Sequence, residues 1–225
     1  MYIEEEKDVP MISMHGFFVK QAAKPLRVFS RKEQIQVSRL LLDQLTSEKM
    51  GILLCLFTGL RVGEICALTW GDVDFLNRKL HVSKTLQRIQ MPAGENTRTK
   101  VCILSPKSPC SVRDIPIPED IFKILKEYKG LPNCYLLTGT VNFMEPRTLQ
   151  YHFRAIMHKC GLEWASMHTC RHTFATRCIE LGFDMKTLSE ILGHSNVSIT
   201  MNRYVHPSME IKQQNMDRLS ALLID

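Results

Sequence analysis

The sequence has no apolar run long enough to cross a membrane, and none of its cysteines form a Cys-x-x-Cys pair. A transmembrane helix needs about 20 mostly apolar residues, so the first absence predicts a protein without a membrane span. The opening segment, MYIEEEKDVP, is acidic and lacks the apolar region of a secretion signal. Several cysteines lie in apolar helical patterns, where a free thiol packs as a small buried group. We therefore expect a cytoplasmic protein without disulfides. The cysteines are Cys55, Cys66, Cys102, Cys110, Cys134, Cys160, Cys170 and Cys178.

Internal repeats and low-complexity segments are also absent, which argues against repeat architectures and disordered chains. The 225 residues are 44% hydrophobic, enough for one large domain or for one domain with a short arm. The formal net charge of +6 is mild. Such a charge permits a polyanionic partner and does not by itself prove one.

Most of the chain has helical periodicity. Ser30 and Glu33 have the spacing of a capping box, and Val37, Leu40 and Leu41 follow at helical intervals. These patterns predict a helix over residues 31–46 and a fully apolar one over 51–57. Further helices are predicted over 61–68, 119–129, 147–160, 169–181, 186–192, 198–204 and 209–223, four of them ending at Gly130, Gly161, Gly182 and Gly193.

Between residues 72 and 117 the period changes to that of strands. Lys79–Ile89, Val101–Leu104 and Val112–Ile117 alternate or are rich in β-formers, and Pro116 requires an edge or terminal position. The predicted fold class is therefore α+β, mostly helical, with a small antiparallel sheet on one side. Residues 1–29 have no clear periodicity and are interpreted as an arm or linker, followed by a domain over 30–225.

Five segments carry side chains suited to chemistry on an anion. They are TGLRVGEICAL around Arg61, PKS around Lys107, HTCRHTFAT containing His168 and Arg171, LGHS containing His194, and NRYVH containing Tyr204. His168 and Arg171 share one helical face because they are three residues apart. Two guanidiniums suit a phosphodiester, because their planar donors bind phosphate oxygens in pairs.

The ordered set of segments resembles the tyrosine recombinase (phage integrase) family, from about residue 28 to residue 206. The family's site consists of Arg, Lys, His-x-x-Arg, His and Tyr in that order, and each has a counterpart here. The resemblance implies a catalytic domain over 30–225 that cleaves and rejoins DNA through a covalent 3′-phosphotyrosine. The long hairpin between Lys79 and Ile117 favours the integrases of phages and conjugative transposons. The implied catalytic residues are Arg61, Lys107, His168, Arg171, His194 and Tyr204.

The resemblance also implies a role for each residue. Tyr204 attacks phosphorus, His168 takes its proton, and Lys107 protonates the departing 5′ oxygen. Arg61 and Arg171 clamp the non-bridging oxygens, and His194 donates a hydrogen bond to the phosphate. Since the covalent bond conserves the phosphodiester energy, no cofactor and no metal ion are expected.

Some assignments have alternatives. Lys84 also stands near a strand end and competes with Lys107 as the catalytic lysine. His168 and His172 flank Cys170, but a spacing of two residues points side chains to different helical faces, so a shared metal ion is not expected. His172 is interpreted as a structural residue that supports the site. Arg88, Arg98 and Lys100 surround the hairpin and are predicted phosphate contacts.

The expected partners are double-stranded DNA and further copies of the chain. A tetramer is expected on DNA, with the free protein a monomer, and residues 207–225 are predicted to form a tail helix that docks on a neighbour. Family members usually carry an N-terminal core-binding domain, which has no counterpart among the residues before the match. Two rival interpretations are a non-catalytic DNA-binding regulator on the same scaffold and a type IB topoisomerase relative. A Cys/His hydrolase is disfavoured because no cysteine stands in an activating context.

Overall fold

The computed structural model describes residues 26–92, 99–105, 108–204 and 209–217. These residues form mainly α-helices, joined by short strands in the middle of the chain. The helices are α1 (Arg31–Leu42), α2 (Ser47–Thr58), α3 (Val62–Ala67), α4 (Glu119–Glu127), α5 (Pro146–Lys159), α6 (Met167–Glu180), α7 (Met185–Leu192), α8 (Val197–Tyr204) and α9 (Met209–Asp217). The strands are β1 (Val73–Asp74), β2 (Lys79–Val82), β3 (Thr85–Gln90), β4 (Thr99–Leu104) and β5 (Arg113–Pro116).

The α+β fold class is confirmed, but the strands form two antiparallel sheets instead of one. One sheet has the order β1-β2-β5, and the other pairs β3 with β4. The predicted continuous strand Lys79–Ile89 is therefore wrong, because the chain breaks after Val82 and resumes at Thr85. The two halves have different partners, since β2 pairs with β5 and β3 pairs with β4. The second sheet packs directly on α3, because a Cβ on Gly63 would lie 2.5 Å from the Leu86 carbonyl oxygen. Pro116 ends the edge strand β5, as predicted.

The capping box at the start of α1 is present. The Glu33 N–H donates to Ser30 Oγ at 3.2 Å, and the Ser30 N–H donates to Glu33 Oε2 at 2.7 Å. This helix ends at Leu42, four residues earlier than predicted, and α2 begins at Ser47 because the Thr46 side chain caps it. Short polar side chains, Ser30 and Thr46, thus cap the starts of α1 and α2, as they do for many helices.

The centre of the core is α2, which is buried along nearly all of its length. It packs against α6 on one side and against α3 and α5 on others. Phe29, just before α1, is fully buried, and its N–H donates to Thr173 Oγ1 on α6 at 3.0 Å. The packing of α2 against α6 matters for function, because Arg61 follows the end of α2 and because α6 carries His168 and Arg171.

No helix in the described part of the chain is long and apolar enough to cross a membrane. All eight cysteines are free. Burial raises the pKa of the Cys66 and Cys178 thiols to about 12, so both stay protonated at neutral pH. They therefore serve as packing groups.

Candidate active site

Arg61 is placed by a tight turn between α2 and α3. Gly59 ends α2 with φ 68°, a left-handed conformation, and a Cβ there would lie 2.5 Å from the Phe174 ring. The Arg61 N–H then donates to Glu64 Oε2 at 2.9 Å, so the glutamate closes the first turn of α3. The Arg61 guanidinium donates to Glu64 Oε1 at 2.7 Å and to the Gly193 carbonyl at 3.2 Å. Hydrogen bonds therefore fix both the backbone and the guanidinium of Arg61.

Glu64 also binds Arg113, a residue that sequence reasoning left out of the site. The two Arg113 Nη atoms reach the two carboxylate oxygens at 3.0 and 2.9 Å, and Arg113 Nε donates to the Ile191 carbonyl at 2.6 Å. The side chains of Arg113 and Glu64 are only 6% and 4% exposed. Burial acts to raise the Glu64 pKa, but the hydrogen bonds and charges of Arg113 and Arg61 outweigh it and hold that pKa below its usual value. One carboxylate thus organises two guanidiniums.

Arg171 lies on α6 and is buried at 5% exposure. It donates to the Gly59 carbonyl at 2.6 Å, to the Leu192 carbonyl at 2.7 Å and to His194 Nε2 at 3.0 Å. Burial, followed by the charge of Arg61, lowers its pKa to about 10, so it remains charged at neutral pH. Within the described residues it has no salt bridge to a carboxylate. A buried cation held only by neutral groups is a ready receptor for an anion.

His194 follows Gly193, which ends α7 in the left-handed conformation with φ 63°. Its Nδ1 lies 2.8 Å from Thr200 Oγ1, and its Nε2 faces the Arg171 guanidinium. Burial and the charges of Arg171 and Arg61 lower its pKa to about 4, so the ring is neutral at pH 7. The network makes Nε2 an acceptor from Arg171. The sequence predicts that His194 donates a hydrogen bond to phosphate. Donation from Nε2 requires the imidazole to move a proton to this nitrogen when the anion binds.

His168 stands one turn before Arg171 on α6 and lines the same cleft. Burial lowers its pKa, and the charges of Arg171, Arg203 and Arg61 lower it further. Its neutral form is therefore favoured, which is the form that can accept a proton.

Tyr204 is the last residue of α8 and is partly buried. Its hydroxyl oxygen lies 2.7 Å from His172 Nδ1 on α6. Burial raises the pKa of the phenol, while the charges of Arg171, Arg203 and Arg61 oppose that rise. The phenol is consequently protonated in the resting domain.

Four of the predicted site residues, Arg61, His168, Arg171 and His194, line a cleft of about 360 Å³. Tyr204 does not line this cleft, but its hydroxyl contacts His172, which does. In the part of the chain that the structure describes, the walls of the cleft contain three arginines and three histidines and no carboxylate. Arg203, adjacent to Tyr204, is the third arginine and was not singled out from the sequence. Such a cleft is suited to bind a phosphate group. The arginines and histidines that line it are Arg61, His168, Arg171, His172, His194 and Arg203.

Lys107, the predicted catalytic lysine, lies outside the described residues. Ser108, the next residue in the chain, lines the cleft. The competing Lys84 donates to Asp72 Oδ2 at 3.0 Å and does not line the cleft. Among the residues of the hairpin that are predicted to contact phosphates, Arg88 donates hydrogen bonds to the side chains of Thr99 and Glu145. Arg98 lies outside the described residues. No group of three or more potential metal ligands occurs among the described His, Cys, Asp and Glu residues.

The family model described as "Phage integrase family" matches residues 32–210, a span that contains the whole cleft. The chain belongs to the phage integrase family. A tyrosine recombinase XerC-like protein of Caldanaerobacter subterraneus is 32% identical over 190 residues, covering 76% of this chain and 49% of that protein. The transposase from transposon Tn916 of Enterococcus faecalis is 26% identical over 193 residues, covering 75% of this chain and 44% of the relative. The chain thus spans about half the length of the curated relatives it matches.

Solved structures of the family share the fold. The Tn1549 transposon integrase, solved in complex with transposon right end DNA, superposes with a TM-score of 0.70 at 25% identity. That match covers 90% of this chain and 69% of the integrase chain. The catalytic domain of bacteriophage HP1 integrase matches with a TM-score of 0.54 at 22% identity, covering 87% of this chain and 97% of that domain. The predicted family is confirmed.

Proposed function

We propose that this chain is the catalytic domain of a site-specific DNA recombinase, an integrase that cleaves and rejoins DNA through a 3′-phosphotyrosine at Tyr204. The observation that carries the proposal is the cleft that Arg61, Arg171, His168 and His194 line, in which the described residues place no carboxylate. The names of similar proteins support it, since they include a tyrosine recombinase XerC-like protein, a transposase of transposon Tn916 and the Tn1549 transposon integrase.

The proposed reaction is an exchange of phosphate esters. Tyr204 Oη forms a bond to phosphorus while the bond from phosphorus to the 5′ oxygen of the next nucleotide breaks. His168 takes the phenol proton, and Lys107 gives a proton to the departing 5′ oxygen. Ligation runs the same steps in reverse with a 5′-hydroxyl from another strand. No external energy source is needed, since one ester replaces another.

Arg61 and Arg171 are proposed to stabilise the charge that grows on the non-bridging oxygens. Preorganised donors of this kind usually make the greatest single contribution to catalysis, and losing one costs on the order of 10²–10³ in rate. The fixed contacts of Arg61 with Glu64 and of Arg171 with backbone carbonyls support the role, because they hold the guanidiniums in place before the substrate arrives. Two such cations also offer the charge that a metal ion supplies in other phosphoryl-transfer sites.

Lys107 is proposed as the general acid in preference to Lys84. Two observations support this choice: Ser108, beside Lys107, lines the cleft, and Lys84 is engaged by Asp72. A chemical test separates the two lysines. A DNA substrate whose leaving 5′ oxygen is replaced by sulfur needs no general acid, because a thiolate leaves without a proton. Lys107→Ala should cleave ordinary DNA slowly and should recover its cleavage rate on the sulfur-containing substrate. The cleavage rate of Lys84→Ala relative to wild type should be the same on both substrates.

The proposed partner is double-stranded DNA, with four copies of the chain assembling on the recombining sites and a monomer in the free state. The tail, residues 207–225, is proposed to link neighbouring copies. Its described part supports this role, because Met209 and Met216 on α9 are 72% and 61% exposed. Exposed apolar side chains on a terminal helix suit a contact with another molecule.

The proposal is tested with a randomised pool of nicked duplexes, in which cleavage near the nick releases a short fragment and traps the covalent product. A recombinase forms a protein–DNA adduct that survives SDS, and sequencing the captured DNA gives the site preference. A non-catalytic regulator on the same scaffold retards the DNA in a native gel and forms no adduct. That second pattern would contradict the proposal.

A further inference from the structure

We propose that His172 is a further catalytic residue of this domain, whose task is to orient the nucleophile by accepting the hydrogen bond of the Tyr204 hydroxyl. The inference rests on the proposed function, since it takes Tyr204 as the attacking residue. His172 is not among the six residues that match the family's site. Sequence reasoning interpreted it as a structural residue.

The contact is direct and involves the reacting atom. His172 Nδ1 lies 2.7 Å from Tyr204 Oη, and the two ring centroids are 5.7 Å apart with the planes inclined by 55°. The imidazole therefore meets the hydroxyl at the edge of the phenol ring and does not stack on its face. No hydrogen bond joins Tyr204 to His168, although the two histidine rings are neighbours with centroids 6.4 Å apart. Of these two histidines, His172 is the one that holds the hydroxyl.

The direction of the hydrogen bond follows from charge. Burial and the charges of Arg203, His168 and Arg171 lower the His172 pKa to about 4, so the imidazole is neutral at pH 7. The phenol, with a raised pKa, keeps its proton. A neutral imidazole has one acceptor nitrogen, and a protonated phenol has one hydrogen to give. In the resting domain Tyr204 is thus the donor and His172 Nδ1 the acceptor. In the proposed reaction the same proton passes to His168 as the phenol attacks, so His172 orients the hydroxyl before the step and does not take its proton.

This chemistry suits orientation better than proton removal. An efficient general base has a pKa near the working pH, whereas an imidazole that binds a proton only near pH 4 is a weak one. A neutral acceptor does limit where the hydroxyl oxygen lies. His172 is adjacent to Arg171 on α6, so the helix that holds the phosphate clamp also sets the position of the attacking oxygen. Misplacement of a reacting group by about 1 Å costs about 10²-fold in rate, so a fixed oxygen carries a large share of the rate.

A pair of nearly isosteric variants tests this role. In His172→Asn, the amide branches at Cγ as the imidazole does, and its oxygen takes the place of Nδ1 as a neutral acceptor. In His172→Leu, the same branching is kept and the acceptor is lost. With saturating nicked duplex, we expect the leucine variant to form the covalent adduct about 10²-fold more slowly than wild type. The asparagine variant should stay within about tenfold of wild type, and the saturating duplex makes the compared rates independent of any change in affinity.

Two outcomes would overturn the inference. If the leucine variant reacts as fast as wild type, the hydrogen bond does not orient the nucleophile. If the asparagine variant is as slow as the leucine variant, accepting the hydrogen bond of Tyr204 does not explain the contribution of His172. Should the leucine variant fail to fold, as judged by its thermal melt, His172→Gln replaces it, since glutamine places its amide near Nε2 and leaves the Nδ1 position empty.

Wild type and Tyr204→Phe in the same assay separate this inference from the proposed function. An unreactive wild-type protein, or a reactive phenylalanine variant, contradicts the proposed function itself. A reactive wild type, an unreactive Tyr204→Phe and a fully reactive His172→Leu contradict only the role of His172.

Discussion

Removal of one partner of the buried Glu64–Arg113 pair should destabilise the domain strongly. In Arg113→Met, the Glu64 carboxylate loses both hydrogen bonds from Arg113 while it remains almost fully buried, with Arg61 as its remaining cationic partner. Breaking a buried ion pair from one side typically costs about 3–5 kcal/mol. Since the backbone N–H and the guanidinium of Arg61 each keep a hydrogen bond to the carboxylate, we expect the lower part of that range, about 3 kcal/mol in the free energy of unfolding.

Urea denaturation followed by circular dichroism measures this cost, with Lys123→Met as the matched control. Lys123 forms an exposed pair with Asp120 at 3.2 Å, and an exposed substitution of this kind should change the free energy of unfolding by less than about 0.5 kcal/mol. The double variant Glu64→Gln/Arg113→Met should be less destabilised than the sum of its single variants, because the second change removes the charge that the first one leaves unpaired.

The pair also makes stability depend on pH. The folded-state pKa of Glu64 is depressed, so its contribution is fully present above the unfolded value of about 4.3 and is lost as pH falls through the folded value. Glu64→Gln should therefore lose less stability on acidification than wild type does. A cost of less than about 1 kcal/mol for Arg113→Met, or additive costs of the two single variants, would show that the buried pair does not stabilise the domain in this way.

Three further predictions concern the turn, the chemistry and the tail. Gly59→Ala should lower the thermal midpoint clearly, because its φ of 68° and the Phe174 ring at 2.5 Å leave no place for a Cβ; Gly139→Ala, with φ 64° and open space, is the control, and equal midpoints would refute the steric account. Covalent cleavage should proceed at full rate in EDTA, as measured by adduct formation, whereas strict dependence on magnesium would contradict the two-arginine mechanism. Deletion of the residues after His206 should leave cleavage intact and abolish strand exchange between two duplexes in a gel assay. A truncated protein that recombines normally, or that does not fold, would show that the tail is not a subunit linker.

The features that could be predicted from the sequence are those set by neighbouring residues. The capping box at Ser30, the helix-ending glycines Gly161, Gly182 and Gly193, and the spacing of His168 and Arg171 on one helical face all depend on local geometry. The prediction for Gly130 is wrong, because α4 ends at Glu127 and Gly130 does not have the left-handed conformation of a helix-ending glycine. The ordered motifs then identified the family, which the family match confirmed. The roles of the individual site residues stay predictions.

What the sequence did not reveal depends on contacts between distant segments. Arg113 reaches Glu64 across 49 positions, and His172 reaches Tyr204 across 32 positions. No local pattern marks such partners, because an arginine on an alternating strand and a histidine on a helix are ordinary residues there. The split into two sheets had the same origin, since β2 pairs with the distant strand β5 whereas β3 pairs with β4. One signal was available for Arg113. It lies two positions before Ile115 on a predicted strand, so the two side chains share a face of the sheet, and Ile115 is buried.

Mass mapping of the covalent adduct identifies the nucleophile directly. The adduct is trapped on a nicked duplex, the DNA is trimmed with nuclease, and the protein is digested and sequenced by tandem mass spectrometry. The account predicts a nucleotide joined through a 3′-phosphate to Tyr204, the loss of this adduct in Tyr204→Phe, and its retention in Tyr128→Phe, which alters an exposed tyrosine. A nucleotide attached to any other side chain, or an adduct that persists in Tyr204→Phe, would contradict it.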